Sequence, residues 1–243
     1  MQNLIEELSL NAWPALQTVL VDGWVLRFAK GYTKRANSIN PLYPSTLPLE
    51  VKIKTCEEIY QKQNLPMVFK ITSKSTPTNL DDHLERSGYQ LLSPTSVQIL
   101  RLEKMNPDHD PAIVASDRST EEWIDQYLRM SILQPNQIET LTLILQKIVP
   151  EHRLFTLIEK GTAVACGLAV VQAGFVGLFD VVTDPSFRRR GFGARLVDQM
   201  LLWGKQQNAK MAYLQVILDN SPAINLYQKI GFVEEYQYWY RSL

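Results

Sequence analysis

The apolar positions of the second half of the chain alternate between strand-length runs and helical spacing. Residues 176–183, VGLFDVVT, are an almost unbroken apolar run ending at Asp184-Pro185. Past a short basic loop, Leu196, Val197, Met200, Leu201 and Gly204 recur at helical spacing, which predicts a helix with one apolar face on a sheet. Residues 211–218, MAYLQVIL, read as the next strand. Asp219-Asn220-Ser221-Pro222 turns the chain, with Pro222 suited to a first helical turn. Ala223, Leu226, Tyr227 and Ile230 form one face of a short helix that Gly231 ends, and Phe232 opens a last strand.

Upstream, the pattern predicts a strand at 112–115 and helices at 120–132 and 137–149. A Ser119/Thr120 cap and acidic first-turn residues open the first helix. Strands at 154–159 and 163–172 meet at Lys160-Gly161, a hairpin signal. A polar, proline-bearing stretch, MNPDHDP, separates this region from the first hundred residues. The expected organisation is a domain at 1–105, a linker at 106–111 and a domain at 112–243.

Composition narrows the class. The chain has 243 residues, 45% hydrophobic and 21% charged, as in ordinary globular proteins. Lys plus Arg (25) balance Asp plus Glu (25), so no net positive charge favours nucleic acid or an anionic membrane. Cys56 and Cys166 have no metal or disulfide-framework spacing and read as buried small hydrophobes. Glu6 and Glu7 stand where a secretory signal would be basic, and no apolar run reaches membrane-spanning length. The expectation is a cytoplasmic protein, monomer or homodimer, without nucleic-acid, membrane or metal partners.

The basic loop carries the chemistry. Gly191 and Gly193 let a ligand approach the main chain, and Arg188, Arg189 and Arg190 offer fork-shaped donors. The helix that follows presents unpaired N–H groups and the positive end of its dipole. Together these suit a pyrophosphate. A basic surface loop with turn glycines is the ordinary alternative for this motif alone.

Two motifs in order remove most of that ambiguity. Arg188-Arg189-Arg190-Gly191-Phe192-Gly193 fits [Q/R]-x-x-G-x-[G/A], and residues 220–232, NSPAINLYQKIGF, fit N-x-x-A-x-x-L-Y-x-x-x-G-F. With these, residues 112–243 resemble the GNAT family, the acyl-CoA-dependent N-acetyltransferases. The resemblance implies an α/β (α+β) fold, with a mixed, mostly antiparallel central sheet flanked by helices. It implies acetyl-CoA as cosubstrate and the amine of a small molecule or peptide as acceptor. Non-catalytic acetyl-CoA sensing, or an interaction module, is the alternative. By the same resemblance, main-chain groups of Val181, Val182 and Thr183 pair with pantetheine, and amides from Arg189 to Ala194, with Phe192 among them, hold the pyrophosphate. Asn220 hydrogen-bonds pantetheine or orders a water nearby, and Tyr227 gives a hydrogen bond or a proton to the leaving thiolate.

The general base has no clear candidate. Many relatives place a glutamate where this chain has Gly177. Asp180 is named as a site residue, although strand alternation puts it on the other face from Val181. Glu122, Glu139 and His152 qualify by residue type only.

The first half carries a fainter signal. Aligning Gly88 with Gly231, an offset of 143, sets NLDDHLERSGY at 79–89 against the second motif. Arg86 then meets Lys229, Tyr89 meets Phe232, and Leu84 stands at the place of Tyr227. This predicts a second, smaller, degenerate GNAT-like N-terminal domain. The segment after Pro41, LYPSTLPLE, lacks both glycine and arginine, so this half keeps no phosphate loop. Residues 24–41, rich in Arg, Lys, Asn and aromatics, read as a solvated strand pair or a wall of the acceptor cleft.

Overall fold

A computed structural model describes residues 1–103, 105, 107–117, 121–131 and 137–243. The Ser119/Thr120 cap lies outside the described residues. The chain forms two compact units. They are not contiguous in sequence: the first is Met1–Ser96, Ile217–Asp219 and Glu235–Leu243, the second Val97–Val216 and Asn220–Glu234. Their edges fall at 96/97, 216/217, 219/220 and 234/235, and the expected linker is 106–111. Two long strands, β5 (Gln90–Arg101) and β11 (Val233–Ser242), each carry residues of both units.

In the first unit, α1 (Gln2–Ala12), β1 (Gln17–Val21), β2 (Trp24–Phe28) and β3 (Ile39–Pro41) precede α2 (Leu49–Lys62), β4 (Val68–Thr72) and α3 (Leu80–Arg86). Sheet order here is β1-β2-β3-β4-β11. β3 and β4 run parallel, and the other neighbouring pairs are antiparallel. Trp24, Leu26, Ile39, Phe69 and Ile71 of the strands meet Cys56 and Tyr60 of α2 and Leu80 and Leu84 of α3 in one apolar cluster.

Outside this cluster the unit buries charged side chains. Glu6 of α1 accepts from Lys70 (2.5 Å) and Tyr236 (2.6 Å). Arg27, 3% exposed, donates to the carbonyls of Arg35, Leu10 and Trp13. Unpaired burial of such charges would cost several kcal/mol, so each one is tied to hydrogen-bond partners.

The second unit contains β6 (Ile113–Ser116), α4 (Glu121–Met130), α5 (Ile138–Gln146), β7 (Glu151–Glu159), β8 (Thr162–Gln172) and β9 (Phe175–Thr183). These are followed by α6 (Phe192–Gln206), β10 (Met211–Ile217) and α7 (Ser221–Ile230). Sheet order is β10-β9-β8-β7-β6, with only β9 and β10 parallel. Mixed but mostly antiparallel pairing flanked by helices is the expected class.

α6 lies on a strand surface of small residues. Leu196, Val197, Met200, Leu201 and Trp203 bury against Ala165, Ala169, Val176, Leu178 and Ala212. Close approach depends on Gly204, where a Cβ would stand 2.6 Å from Val176 Cγ1. Met105, Asp108 and Asp110 are strapped to this helix. Lys205 donates to Met105 O (2.5 Å) and Gln199 to Asp108 O (2.6 Å), while Arg195 forms a fork on Asp110 (2.7 and 3.2 Å).

The 143-residue offset reappears in the elements. From the starts of α2, β4, α3 and β5, at 49, 68, 80 and 90, it leads to 192, 211, 223 and 233. α6, β10, α7 and β11 start at 192, 211, 221 and 233.

Candidate functional site

The site grows from a strand that loses one neighbour. β9 pairs in parallel with β10 from Met211↔Phe175 to Leu214↔Leu178, and the pairing stops there. Residues 179–183 keep β8 on their other side, through Leu168↔Phe179, Cys166↔Val182 and Ala165↔Thr183. One edge of β9 is thus left without a strand among the described residues. An unpaired edge of N–H and C=O groups is a template for an extended ligand.

A β-bulge sits at the opening. Asp180 and Val181 together oppose Gly167, and Asp180 has φ +49°. The alternation expected to put Asp180 and Val181 on opposite faces is interrupted here. An extra residue re-aims the chain locally, so the directions of Val181, Val182 and Thr183 are set by the bulge, with Val181 packed against the core of the second unit. All three are half-buried.

Beyond Thr183 the chain makes a tight turn into α6. Asp184 accepts from Ser186 N (2.8 Å), and Phe187 N donates to Asp184 O (2.9 Å). Arg189 (φ +60°) and Gly191 (φ +81°) are left-handed, the backbone form of anion-binding concavities. Gly191 is the residue before the first turn of α6, and no heavy atom lies within 4 Å of where its Cβ would stand. The space beside the Gly191 Cα is open.

The arginines are exposed and fixed from below. Arg188 Nε donates to Thr183 O (3.3 Å), and the Arg190 guanidinium lies 5.2 and 5.0 Å from the rings of Phe187 and Phe192. Among the described residues none of Arg188, Arg189 or Arg190 pairs with a carboxylate. Phe192 is 5% exposed and turned into the core, so its contribution to a ligand is its main chain alone. Ala194 is half-buried in the first turn of α6.

The two motifs meet at Gly193. A Cβ there would stand 3.3 Å from both Thr183 Oγ1 and Leu226 Cδ2, so the strand end, the loop and α7 converge on one glycine. Asn220 caps α7: its Oδ1 accepts from Ala223 N at 3.3 Å, and the side chain is exposed. Tyr227 is 8% exposed and stacks edge-on against Phe232 at 5.8 Å. Its hydroxyl makes no hydrogen bond among the described residues. Burial pushes its pKa up to about 12, so it stays protonated at neutral pH. The Gly231 turn (φ +108°) places Phe232, whose N–H returns to Tyr227 O at 3.0 Å.

Gly177 is closed to any side chain. A Cβ there would stand 2.6 Å from Tyr213 Cζ and Oη and from Phe179 Cε2. Neither ring could be foreseen as filling this place, since the pairing of Tyr213 with Gly177 depends on register. The residues named by type alone contribute nothing evident. Glu122 is exposed and accepts from Gln126 (3.0 Å), and His152 Nδ1 lies 2.9 Å from Pro150 O beside the proline turn. Glu139 is exposed in the first turn of α5.

The family model described as "Probable histone acetyltransferase Rv0428c C-terminal" matches residues 3–241. The chain belongs to this GNAT acetyltransferase family. It is 28% identical over 244 residues to the "Uncharacterized N-acetyltransferase YobR" of Bacillus subtilis, covering 98% of this chain and 96% of that one. A GCN5-related N-acetyltransferase from Kribbella flavida superposes with TM-score 0.71 at 16% identity, covering 99% of this chain and 94% of the other. A tandem GNAT protein from the clavulanic acid biosynthesis pathway gives TM-score 0.67 at 9% identity, covering 98% and 87%. The structural likenesses are likenesses of fold. As a GNAT, the chain is built for acetyl transfer; among its described residues no helix is long and apolar enough to cross a membrane, and none groups three metal-ligating side chains.

Proposed function

We propose that this GNAT moves an acetyl group from acetyl-CoA to a primary amine of a small molecule or peptide. The observation that carries the reading is the open cradle at Gly191, set at the start of α6 next to the unpaired edge of β9. Amides of residues 189–194 and the three arginines would hold the pyrophosphate, and Val181, Val182 and Thr183 would pair with pantetheine. A strand N–H at the bulge would face the carbonyl oxygen as charge develops on it. The amine nitrogen attacks the thioester carbon, the C–S bond breaks, and the ammonium proton is lost to solvent or to a base. Tyr227 hydrogen-bonds the departing thiolate. Asn220 orders the start of α7, and any contact with pantetheine is secondary to that. Asp180 acts through the bulge it forms. The open surface of α4, where Glu121, Glu122 and Asp125 outnumber Arg129, offers negative charge to a cationic acceptor.

The division of labour we infer is a GNAT domain around 112–243 that holds the coenzyme and a degenerate copy in the first half. The element offset and the likeness to a tandem GNAT support it. The closed position at Gly177 favours one alternative, an acetyl-CoA sensor without turnover.

Calorimetry with coenzyme A, and with pantetheine lacking the pyrophosphate, tests the cradle. Coenzyme A is expected to bind well over tenfold more tightly than pantetheine, and Gly191→Glu to abolish the difference through like charge in the loop. Equal affinities would refute the cradle. Binding without thiol release across an amine panel would leave the sensor.

A further inference from the structure

The first unit contains a counterpart of the phosphate loop, and it is already filled. Thr46, Leu47 and Pro48 stand 143 positions before Arg189, Arg190 and Gly191, and Pro48 precedes α2 as Gly191 precedes α6. The Asp22 carboxylate lies on this segment. Oδ1 accepts from Thr46 N (3.0 Å) and Thr46 Oγ1 (2.8 Å), and Oδ2 from Thr46 N (2.9 Å) and Leu47 N (2.8 Å). Lys52, in the first turn of α2 and fully buried, completes the charge balance. Its Nζ donates to Asp22 O (2.6 Å) and Ser45 Oγ (2.5 Å), lies 3.5 Å from Asp22 Oδ2, and sits 4.1 Å from the Trp24 ring.

Asp22 reaches this position because the β1–β2 hairpin is held against the segment. Asp22 (φ +40°) and Gly23 (φ +85°) form its turn, and Tyr43 N donates to Gly23 O (3.1 Å). A Cβ on Gly23 would run into the carbonyls of Tyr43 and Pro44. The second unit has the same left-handed pair in its β7–β8 hairpin, with Lys160 (φ +49°) and Gly161 (φ +79°). The turn is alike, but the residue at the Asp22 place is basic.

We propose that Asp22 is a built-in anion that fills the phosphate position of the first unit, so that each chain takes a single coenzyme A. This rests on reading the Arg188–Gly193 loop as the phosphate loop and the halves as a repeat. The hydrogen bonds from Leu47 and Thr46 hold the carboxylate at a pKa of about 2, so it stays an anion under all ordinary conditions.

The test is amide NMR of the full chain titrated with inorganic phosphate. In wild type, the Thr46 and Leu47 amides are expected to stay unmoved. In Asp22→Ala they should shift and saturate, with an affinity at least about tenfold above wild type. Asp22→Asn keeps the side-chain size and one acceptor oxygen; it should respond more weakly than Asp22→Ala and more strongly than wild type. Silence of both amides in whichever of these variants folds would overturn the proposal. So would an equal response in wild type, or two coenzyme A molecules per wild-type chain by calorimetry. The amides of Gly191 and Gly193, titrated with coenzyme A in the same samples, report the second loop separately. If they stay silent while Thr46 and Leu47 behave as expected, the coenzyme reading fails and the built-in anion stands.

Discussion

Replacing Tyr227 by Phe separates two roles that a phenol beside a thiolate can play. Burial holds its pKa near about 12, whereas a free thiol lies near about 8.5. Complete proton transfer to the leaving sulfur is therefore uphill by about 3.5 units, or about 5 kcal/mol. The favourable role is a hydrogen bond to the thiolate, with the proton retained on oxygen. A hydrogen bond to a charged group contributes about 1.5–3 kcal/mol, and losing it only as the C–S bond breaks lowers turnover about 10- to 150-fold. The hydroxyl makes no hydrogen bond among the described residues, so Tyr227→Phe should leave folding stability within about 0.5 kcal/mol. Coenzyme A affinity should also hold. Thiol release at saturating acetyl-CoA measures the turnover, with calorimetry and thermal melting on the same samples. A turnover within about twofold of wild type would refute the role. So would a fall matched by an equal fall in coenzyme affinity, because Tyr227 would then be a binding residue. The same pKa predicts no loss of rate from Tyr227 ionisation below about pH 10.

Two predictions concern the scaffold. Gly204→Ala gains about 1 kcal/mol of helix propensity but drives a methyl within 2.6 Å of Cγ1 and 2.7 Å of Cβ of the fully buried Val176. Overpacking of this kind costs about 1–3 kcal/mol, so chemical denaturation should show a net loss; a gain would mean that α6 can shift away from β9. Arg241 holds Asp81 through two hydrogen bonds (2.8 and 3.2 Å), and also reaches Glu85 and Tyr89 O. Burial raises the Asp81 pKa, but hydrogen bonds from Arg241 and Trp239 outweigh it and leave the carboxylate below its ordinary range. Its folded pKa lies below its unfolded one, so the stabilisation is complete above about pH 4 and fades as acid protonates the folded state. Arg241→Met should cost about 1–3 kcal/mol at neutral pH and flatten the acid limb of a stability–pH curve. An unchanged acid limb would count against the Asp81 pairing.

Residues with a periodic or compositional signature were legible before any coordinates. The helix built on Leu196, Val197, Met200 and Leu201 is α6, and the strand expected at 211–218 is β10, Met211–Ile217. Gly231 ends α7 in the left-handed conformation that its place after Ile230 implied. What stayed hidden depends on register and on distant partners. The bulge at Asp180 leaves no mark in composition, since aspartate in an apolar run reads as simple alternation until the pairing with Gly167 is known. Asp22-Gly23 reads as a hairpin turn, but nothing near it says that its carboxylate caps a segment more than twenty residues away. The interleaved units were illegible for a similar reason. Continuous strands such as β5 and β11 show no break where they pass from one unit to the other. Residues 105–111 resemble a linker in composition, yet Arg195, Gln199 and Lys205 tie Asp110, Asp108 and Met105 to α6.

Gly177 shows how the chemistry of this site is constrained by packing. The resemblance to other GNATs puts a glutamate at that position, and its absence looks from sequence like a single substitution. The structure makes it one of three linked positions. Tyr213, paired in register with Gly177, and Phe179 fill the volume that any side chain there would need. Their rings meet edge to face at 5.9 Å and are 2% and 3% exposed. Val176 on the opposite face is pressed against Gly204 of α6, so the strand has no room to recede. A carboxylate could return only if both ring tips moved aside or the rings became smaller, the latter at a cost of about 3–5 kcal/mol for each buried ring truncated. The aromatic wall and the missing carboxylate are therefore one feature. It leaves the acceptor's proton to leave by another route, and it gives the face of β9 opposite α6 an apolar surface where a charged base would otherwise stand.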